Sequence, residues 1–598
     1  MKVYECEKDK LKFRLKDVRR VSLTADCWTS NQTIGYMCLT AHYIDESWKI
    51  RKVIINFIEL EPLHTGTYIC DAICECLLEW NLQDKISTIT LDNASNNDVA
   101  ASSLKANFQS RGKLNFRGYF FHVRCCAHII NIMVQDGLKE IQEIIHNIRE
   151  SVKYLKKSPT RLHKFVEVAK QLGVPTTRSL SIDVSTRWNS TFNMLESAFI
   201  YRNVFNHYAI RDGNYKWLPD DSEWVKYEKI RKFLSVFNNV TKMLSGTLYP
   251  TSNIFLPAVL HVKKILMEES FSEDEYMKNM ATSMQIKFNK YWGECNLLMS
   301  IAAILDPRLK LKFISYTFPK IYAHDEVEQN LKTAQDALWE IYADYVVECN
   351  VSNEGFSSTI DHASSSSHFD AMFGFQDFVI YAHDEVEQNL KTAQDALWEI
   401  YADYVVECNV SNEGFSSTID HASSSSHFDA MFGFQDFVVA SGSVEPSKPD
   451  LQVYLEEGLF VGSNENFDVL DWWKMNTLKY PQLSIMARDI LSIPITTVAS
   501  ESAFSAGGRV LDDYRSSLST KTVNALICAS SWIRSTQQNA KTITVVPASR
   551  KFKMNGIDPT MEEKLDGMFS GLVATGAHAF TPSEPYFIDT TAVLGTDN

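Results

Sequence analysis

No uninterrupted apolar run of about 18 residues occurs anywhere in the 598-residue chain, so no membrane-spanning helix is expected. The first twenty residues are crowded with Lys, Glu, Asp and Arg and lack the apolar stretch of a secretory leader. Cysteine is sparse: twelve in the whole chain, too few for a disulfide framework and consistent with a reducing compartment. Apolar side chains are not scarce, at 45% hydrophobic and 12% aromatic, which excludes wholesale disorder. The expectation is a soluble, intracellular chain with several structural units, at about 100–200 residues each. Basic residues are outnumbered, 59 against 74 acidic ones for a net charge of −15, which at first argues against a nucleic-acid partner.

That argument fails at a repeat. Residues 321–379 and 380–438 are identical at every position, from IYAHDEVEQN to FGFQDFV. Solenoid repeats diverge because each copy packs on different neighbours, so an exact tandem copy reads as a duplication rather than an architectural repeat. Acids from Asp325 to Asp377 in the first copy face a single base, Lys332. The acidity is therefore local, the rest of the chain is net basic, and DNA stays in play. Within a copy, Leu331, Ala334, Leu338 and Tyr342 recur at helical spacing, whereas SNEGFSSTIDHASSSSHFD reads as linker. The duplication is expected to add one helix and one loop outside the main core.

Three β-rich runs, Val21–Ser30, Tyr36–Ile44 and Trp48–Leu60, are separated by short polar turns, as in an antiparallel meander. A helix over Thr65–Trp80 and a fourth strand over Ile86–Leu91 make the opening of a mixed α/β sheet. Beyond Ala127 the periodicity turns helical. Val134, Leu138, Ile141, Ile145, Ile148, Val152 and Leu155 form one apolar stripe and predict a single long helix ended at Ser158-Pro159. Further helices are expected over Asn189–Ala209, Ser222–Leu244, Asn253–Glu269 and Glu275–Tyr291. Order resumes at Asp471-Trp472-Trp473 and continues to about Arg534.

Asp26 ends the first strand and Asp92 the fourth. If those strands are neighbours, both carboxylates emerge at one sheet edge. Two carboxylates and a third can hold two Mg²⁺ ions about 3.5–4 Å apart, which activate water against a phosphodiester. An Asx-turn at a strand end would need the same residue.

TADCWTS, TLDNASNN, the Cys125/His128 pair, DVSTRWNST, LDPRLKLKF and IPITTVASESAFSAGGRVLDDYRSSL together resemble the hAT superfamily of transposases. The resemblance lies with the plant branch that includes the domesticated RICESLEEPER-type proteins and runs from about Val21 to Arg534. It implies an α/β fold: an RNase H-like mixed sheet interrupted by a large all-α insertion, with a C-terminal dimerisation region. The implied division is a remnant at 1–20, the first part of the core at 21–187 and the helical insertion at 188–320. The duplication follows at 321–438, a linker at 439–450, the dimerisation region completing the core at 451–534, and a weakly ordered tail at 535–598.

The resemblance makes Glu501 the third acid beside Asp26 and Asp92, with Mg²⁺ or Mn²⁺ as the cofactor of an active enzyme. On the residues alone Glu501 reads first as a solvated helix side chain. It places His128 near the cleaved DNA end, where the alternative is a packed histidine. His122 with Cys125, Cys126 and His128 would be too local for structural zinc, whose ligands usually come from separated segments. Arg187 and Trp188 could hold a phosphate and stack on an extruded base, or Trp188 could be a buried helix start. Lys153, Lys156, Lys157, Arg161 and Lys164 could contact phosphates or form a solvated face. Relatives usually begin with a BED zinc finger, and no such Cys/His pairing precedes Asp26. Two readings follow: a nuclear, DNA-binding, self-associating recombinase with a DDE site, or a domesticated, non-catalytic nuclear protein that keeps the scaffold.

Overall fold

The computed structural model describes residues 1–30, 33–61, 65–176, 179–184, 187–292, 296–354, 448–460, 467–510 and 518–543. Most of the duplication and the tail from residue 544 lie outside the described residues. The chain divides into two compact units, Met1–Val346 with Gly458–Asn598, and Val347–Glu457. The first holds the sheet and most helices. In the second, the described helix α15 (Asp450–Glu456) carries a Lys448–Glu456 ion pair at 2.8 Å.

The sheet has five strands in the order β3-β2-β1-β4-β5: β1 (Val21–Thr29), β2 (Gly35–Ile44), β3 (Ile50–Leu60), β4 (Ile86–Leu91) and β5 (His122–Arg124). The meander pairs antiparallel, and β4 joins β1 in parallel. This is the mixed sheet expected. All ten residues of β2 are buried, because helices cover both faces. Helix α2 (Gly66–Trp80) begins where the Thr65 side chain accepts a hydrogen bond from the Tyr68 amide, and α3 (Ser95–Ser110) follows β4.

The N-terminal segment, expected as a remnant, forms helix α1 (Lys2–Lys16). Its Leu11 and Leu15 are buried in the sheet's core, and Tyr4 stacks on Trp532 at 5.2 Å. The stripe from Val134 to Leu155 is buried throughout, yet it is carried by two helices, α4 (Cys126–Lys139) and α5 (His146–Lys156). The intervening residues are turns, which keep the angular progression of the stripe without the continuous ladder. Gly137 lets another helix approach: a Cβ there would lie 2.6 Å from Met284 Cγ on the helix Glu275–Trp292.

The helices that follow are α6 (Pro159–Gln171), α7 (Trp188–Ile200), α8 (Arg202–Arg211), α9 (Asp221–Leu244), α10 (Phe255–Ser270), α11 (Glu275–Trp292), α12 (Leu297–Ile304) and α13 (Lys310–Ile321). Asp220 caps α9 reciprocally with Glu223, a capping box. The LDPRLK motif is a structural knot. Asp306, 0% exposed, takes two side-chain hydrogen bonds from Arg308 at 3.0 and 2.7 Å and one from Asn253 Nδ2 at 2.8 Å.

The first repeat departs from expectation. Its helix α14 (Val327–Glu354) buries Ala334, Leu338, Ile341, Tyr342 and Tyr345, so it belongs to the core rather than outside it. Apolar spacing on that helix was visible in the sequence; the surface it covers was not.

The C-terminal region contributes α16 (Val469–Met475), α17 (Pro481–Leu491), α18 (Val498–Val510) and α19 (Thr520–Ile543). Trp532 Nε1 on α19 donates to the Ile54 carbonyl at 2.7 Å, and Asn524 Oδ1 accepts from the Phe57 amide at 3.1 Å. Residues some 470 positions apart are thereby joined into one hydrophobic core.

Candidate active site at the sheet edge

The sheet face bearing Asp26 is unusually polar. Ser22, Thr24 and Asp26 alternate along β1, and Thr88, Thr90 and Asp92 match them on β4, with Ser22 opposite Thr88 and Thr24 opposite Thr90. Two residues further along both strands, Asp26 and Asp92 stand at the same level. Such buried hydroxyls need partners, and the segment at residues 494–501 supplies most of them. Thr90 Oγ1 donates to the Pro494 carbonyl at 2.7 Å. Ser500 Oγ lies 2.8 Å from Thr24 Oγ1 and 3.1 Å from Thr40 Oγ1. The Cys126 amide donates to Ile495 O at 2.9 Å. Cys125 Sγ accepts from Thr497 N and lies within bonding distance of Thr497 Oγ1, both at 3.3 Å.

These latches fix the start of α18 across β1, β4 and β5. Phe504 completes the grip, with its ring 5.7 Å from Trp28 and 5.9 Å from Phe57. Thr497, Ser500, Glu501 and Phe504 recur at helical spacing, so a helix held by Ser500 and Phe504 turns Glu501 to the same sheet edge. Thr497 Oγ1 donates to Glu501 Oε1 at 3.1 Å.

Electrostatics record the convergence. Burial pushes the Asp26 carboxyl well above the usual range, and the negative charges of Glu501 and Asp92 push it further. Burial also raises Glu501; Asp92 adds to that rise, while the Thr497 hydrogen bond, Arg187 and His128 oppose it. The Glu501 residue is solvent-exposed, yet the protein packed around its carboxyl group still disfavours the charged form. The Cys125 thiol is pushed up to about 11 by burial and by Glu501, and Cys27 to about 12 by burial and the two aspartates. Both sulfurs are therefore neutral packing groups at physiological pH. Asp92 accepts from the Ala94 amide at 3.0 Å and from Asn97 Nδ2, so it makes the Asx-turn and still faces the other two acids.

The donor set suits a hard divalent cation: carboxylate oxygens, mutually repelling, two of them held toward the neutral form. Among the described residues, no three acidic, histidine or cysteine side chains are drawn close enough to enclose a metal as they stand. Asp26, Asp92 and Glu501 have the chemistry for the ion but not a closed cage.

The other residues singled out in the sequence fare differently. His128, in the first turn of α4, lies within Coulomb reach of Glu501. Arg187 does so too, and it is exposed. Its flanks are anchored: Ser190 Oγ accepts from Val184 N at 2.7 Å and donates toward the Arg187 carbonyl at 2.6 Å, and Asp183 pairs with Arg149 at 2.8 Å. Trp188 is a correction. It is 2% exposed, so its ring is core at the start of α7 and offers no face to a base. The basic run is mostly occupied locally. Lys153 pairs with Glu150 at 2.8 Å, Lys156 donates to the Leu180 carbonyl at 3.0 Å, and Arg161 lies 3.9 Å over the Tyr154 ring. Lys157 and Lys164 are exposed. Sequence reasoning missed Thr497 and Ser500, whose only signal was a small hydroxyl within a turn of Glu501.

Family models agree with this architecture. Residues 24–120 match the ZBED1 RNase-like domain and 123–233 the ZBED1 RNase-like helical domain. Residues 253–345 match the hAT-like transposase, RNase-H fold, and 450–533 the hAT family C-terminal dimerisation region. The Oryza sativa zinc finger BED domain-containing protein RICESLEEPER 2 is 35% identical over 537 residues, covering 89% of this chain and 68% of that protein. The chain belongs to the hAT family. RICESLEEPER 1 of the same species is 34% identical over 89% of this chain and 68% of its own length. DAYSLEEPER of Arabidopsis thaliana is 30% identical, over 86% of this chain and 64% of its own. As a hAT member, the chain combines an RNase H-like sheet with a helical insertion and a C-terminal dimerisation region. No described helix is long and apolar enough to cross a membrane.

Proposed function

We propose that this hAT protein is a nuclear, DNA-binding recombinase whose strand-cleavage and transfer site consists of Asp26, Asp92 and Glu501. The observation that carries the reading is the convergence of three carboxylates, the third more than 400 positions from the second, at one polar sheet edge with mutual repulsion. A stable fold gains nothing from that repulsion, which a cation would relieve. A bound Mg²⁺ or Mn²⁺ would supply Lewis-acid activation of the attacking oxygen and charge stabilisation at the leaving oxygen. The chain's own groups do the rest. Arg187 offers an exposed guanidinium beside Glu501 for a phosphate, His128 adds a second donor at the same edge, and Thr497 orients the Glu501 carboxylate.

Self-association through residues 450–533 accompanies this function. Most of the apolar side chains there are internal, including Trp473, Tyr480, Ile493, Ile495 and Trp532. The apolar surface left open on α16 and just after it is Met475, 81% exposed, and Leu478, 97% exposed, beside half-buried Trp472. Such a patch is a candidate contact for a second copy.

A second reading, a non-catalytic DNA-associated scaffold, is favoured by one observation: the three acids do not form a closed cage in this conformation. Mn²⁺ titration by calorimetry, paired with Mn²⁺-dependent nicking of supercoiled DNA, tests both. Binding and nicking that are lost together in Asp92→Asn support the recombinase. DNA binding with neither Mn²⁺ binding nor nicking supports the scaffold.

A further inference from the structure

The helix of the first repeat sits in a socket of opposite charge. Arg117 pairs with Asp344 at 2.9 Å and Glu340 at 3.4 Å, and Tyr119 Oη donates to Glu340 at 2.9 Å. Deeper in, Arg20 Nη1 donates to Tyr345 Oη at 3.1 Å, and Tyr345 Oη donates to Asp489 Oδ2 at 2.7 Å. The guanidinium groups of Arg19 and Arg20 cover the Tyr345 ring at 4.7 and 4.6 Å. Below these, Ala334, Leu338 and Ile341 are buried. The socket wall holds Phe116 and Arg117 at φ of 51° and 50°, a conformation that costs about 1–3 kcal/mol per side-chain-bearing residue and persists where surroundings enforce it.

Every residue this socket reads occurs twice. Ala393, Leu397, Glu399, Ile400, Asp403 and Tyr404 repeat Ala334, Leu338, Glu340, Ile341, Asp344 and Tyr345 with 59-residue spacing. We infer that the socket is degenerate: the second repeat, residues 380–438 of the same chain, fills it with the same contacts whenever the first does not. No side chain tells the copies apart, so only chain connection does. With the first copy docked, the link from α13 is residues 322–326; with the second it is residues 322–385. Each doubling of a loop costs about a threefold factor in closure. The exit toward Asp450 shortens from residues 355–449 to residues 414–449, which returns part of that cost. The net preference for the first copy is roughly tenfold. The repeat thus works as a built-in spare: a lesion in the second copy is silent, and one in the first costs no more than that roughly tenfold preference.

The test uses the full chain with Leu338→Asp, Leu397→Asp and the double variant. Leu397→Asp is expected to leave thermal unfolding unchanged. Leu338→Asp is expected to lower the folding equilibrium by no more than roughly tenfold, and the double variant by at least about a thousandfold, since a buried Leu is replaced by a charge in both copies. The substitutions also give the otherwise identical peptides different masses, so hydrogen exchange reads each copy separately. In Leu338→Asp, the peptide containing Leu397 should gain protection while its substituted counterpart loses it. The inference is overturned if Leu338→Asp alone is as damaging as the double variant, or if the Leu397 peptide stays unprotected. It is also overturned if that protection appears only as the particle mass increases with concentration, because the spare would then be acting on another chain.

Discussion

Replacing Asp26 with asparagine is expected to stabilise the protein at neutral pH in the absence of divalent metal. The carboxyl is half-buried and accepts a hydrogen bond from the Cys27 amide at 2.9 Å, which an asparagine Oδ1 can still accept. What the substitution removes is a charge that burial disfavours and that Glu501 and Asp92 repel. The gain should be about 1–2 kcal/mol, the usual size for relief of a functional strain, or about 2–5 °C in melting temperature for a large domain. The folded-state affinity of Asp26 for its proton exceeds that in the unfolded chain. The charge therefore costs stability in full above the folded-state pKa, and the cost disappears as pH falls toward the ordinary aspartate value of 3.8. The advantage of Asp26→Asn should be largest near pH 7.5 and shrink on acidification. Mn²⁺ should close the gap at pH 7.5 by stabilising the parent through binding. The assay is thermal unfolding from pH 5 to 8 in chelator and then in Mn²⁺. An Asp26→Asn protein that melts lower than the parent in chelator at pH 7.5, or an advantage independent of pH, would refute the repulsion argument.

Thr497→Val should cost about 1–2 kcal/mol in chemical denaturation, since it removes hydroxyl contacts to Cys125 and Glu501. It should also depress Mn²⁺-dependent nicking more than DNA binding. Asp306→Ala removes the buried carboxylate that Asn253 and the partly exposed Arg308 share and should cost about 1.5–3 kcal/mol, read as a lower denaturant midpoint with no specific effect on DNA affinity. Met475→Asp combined with Leu478→Asp should leave the melting temperature within about 2 °C, because both side chains are exposed. Light scattering at micromolar concentration should then show a smaller particle, and an unchanged mass would move the self-association contact elsewhere.

Much of the fold was legible because its signals are local. The three meander strands and β4 were readable from β-branched runs and turns, and Ile86–Leu91 matches β4 at both ends. Asp26 and Asp92 could be placed at one edge because each ends a strand. Glu501 could not be placed from spacing, since its position depends on Thr24, Thr40 and Cys125, hundreds of residues away; the motif resemblance supplied it. Trp188 shows the opposite limit. An Arg-Trp pair looks alike whether its indole faces DNA or the core, and only the packing of α7 decides. The repeat helix was misjudged for a related reason: its apolar stripe was visible, but not Arg117, which receives its acids, or Arg19 and Arg20, which cover its Tyr345. The break between α4 and α5 left no mark because the turn preserves the period of the stripe.

The latching of residues 494–501 onto β1, β4 and β5 bears on how the protein is made. A ribosome extends a chain at about 5–20 residues per second, so Asp26 and Asp92 emerge well before Glu501, by roughly 20 to 95 seconds at that rate. During that interval the sheet edge carries two of its three acids, and the hydroxyls of Thr24 and Thr90 lack the backbone and serine that later satisfy them. Any chain interrupted before that segment is therefore born with an incomplete site. On the proposed function, strand cleavage is thus timed by the chain's own length, since Glu501 lies within the segment that matches the hAT dimerisation region.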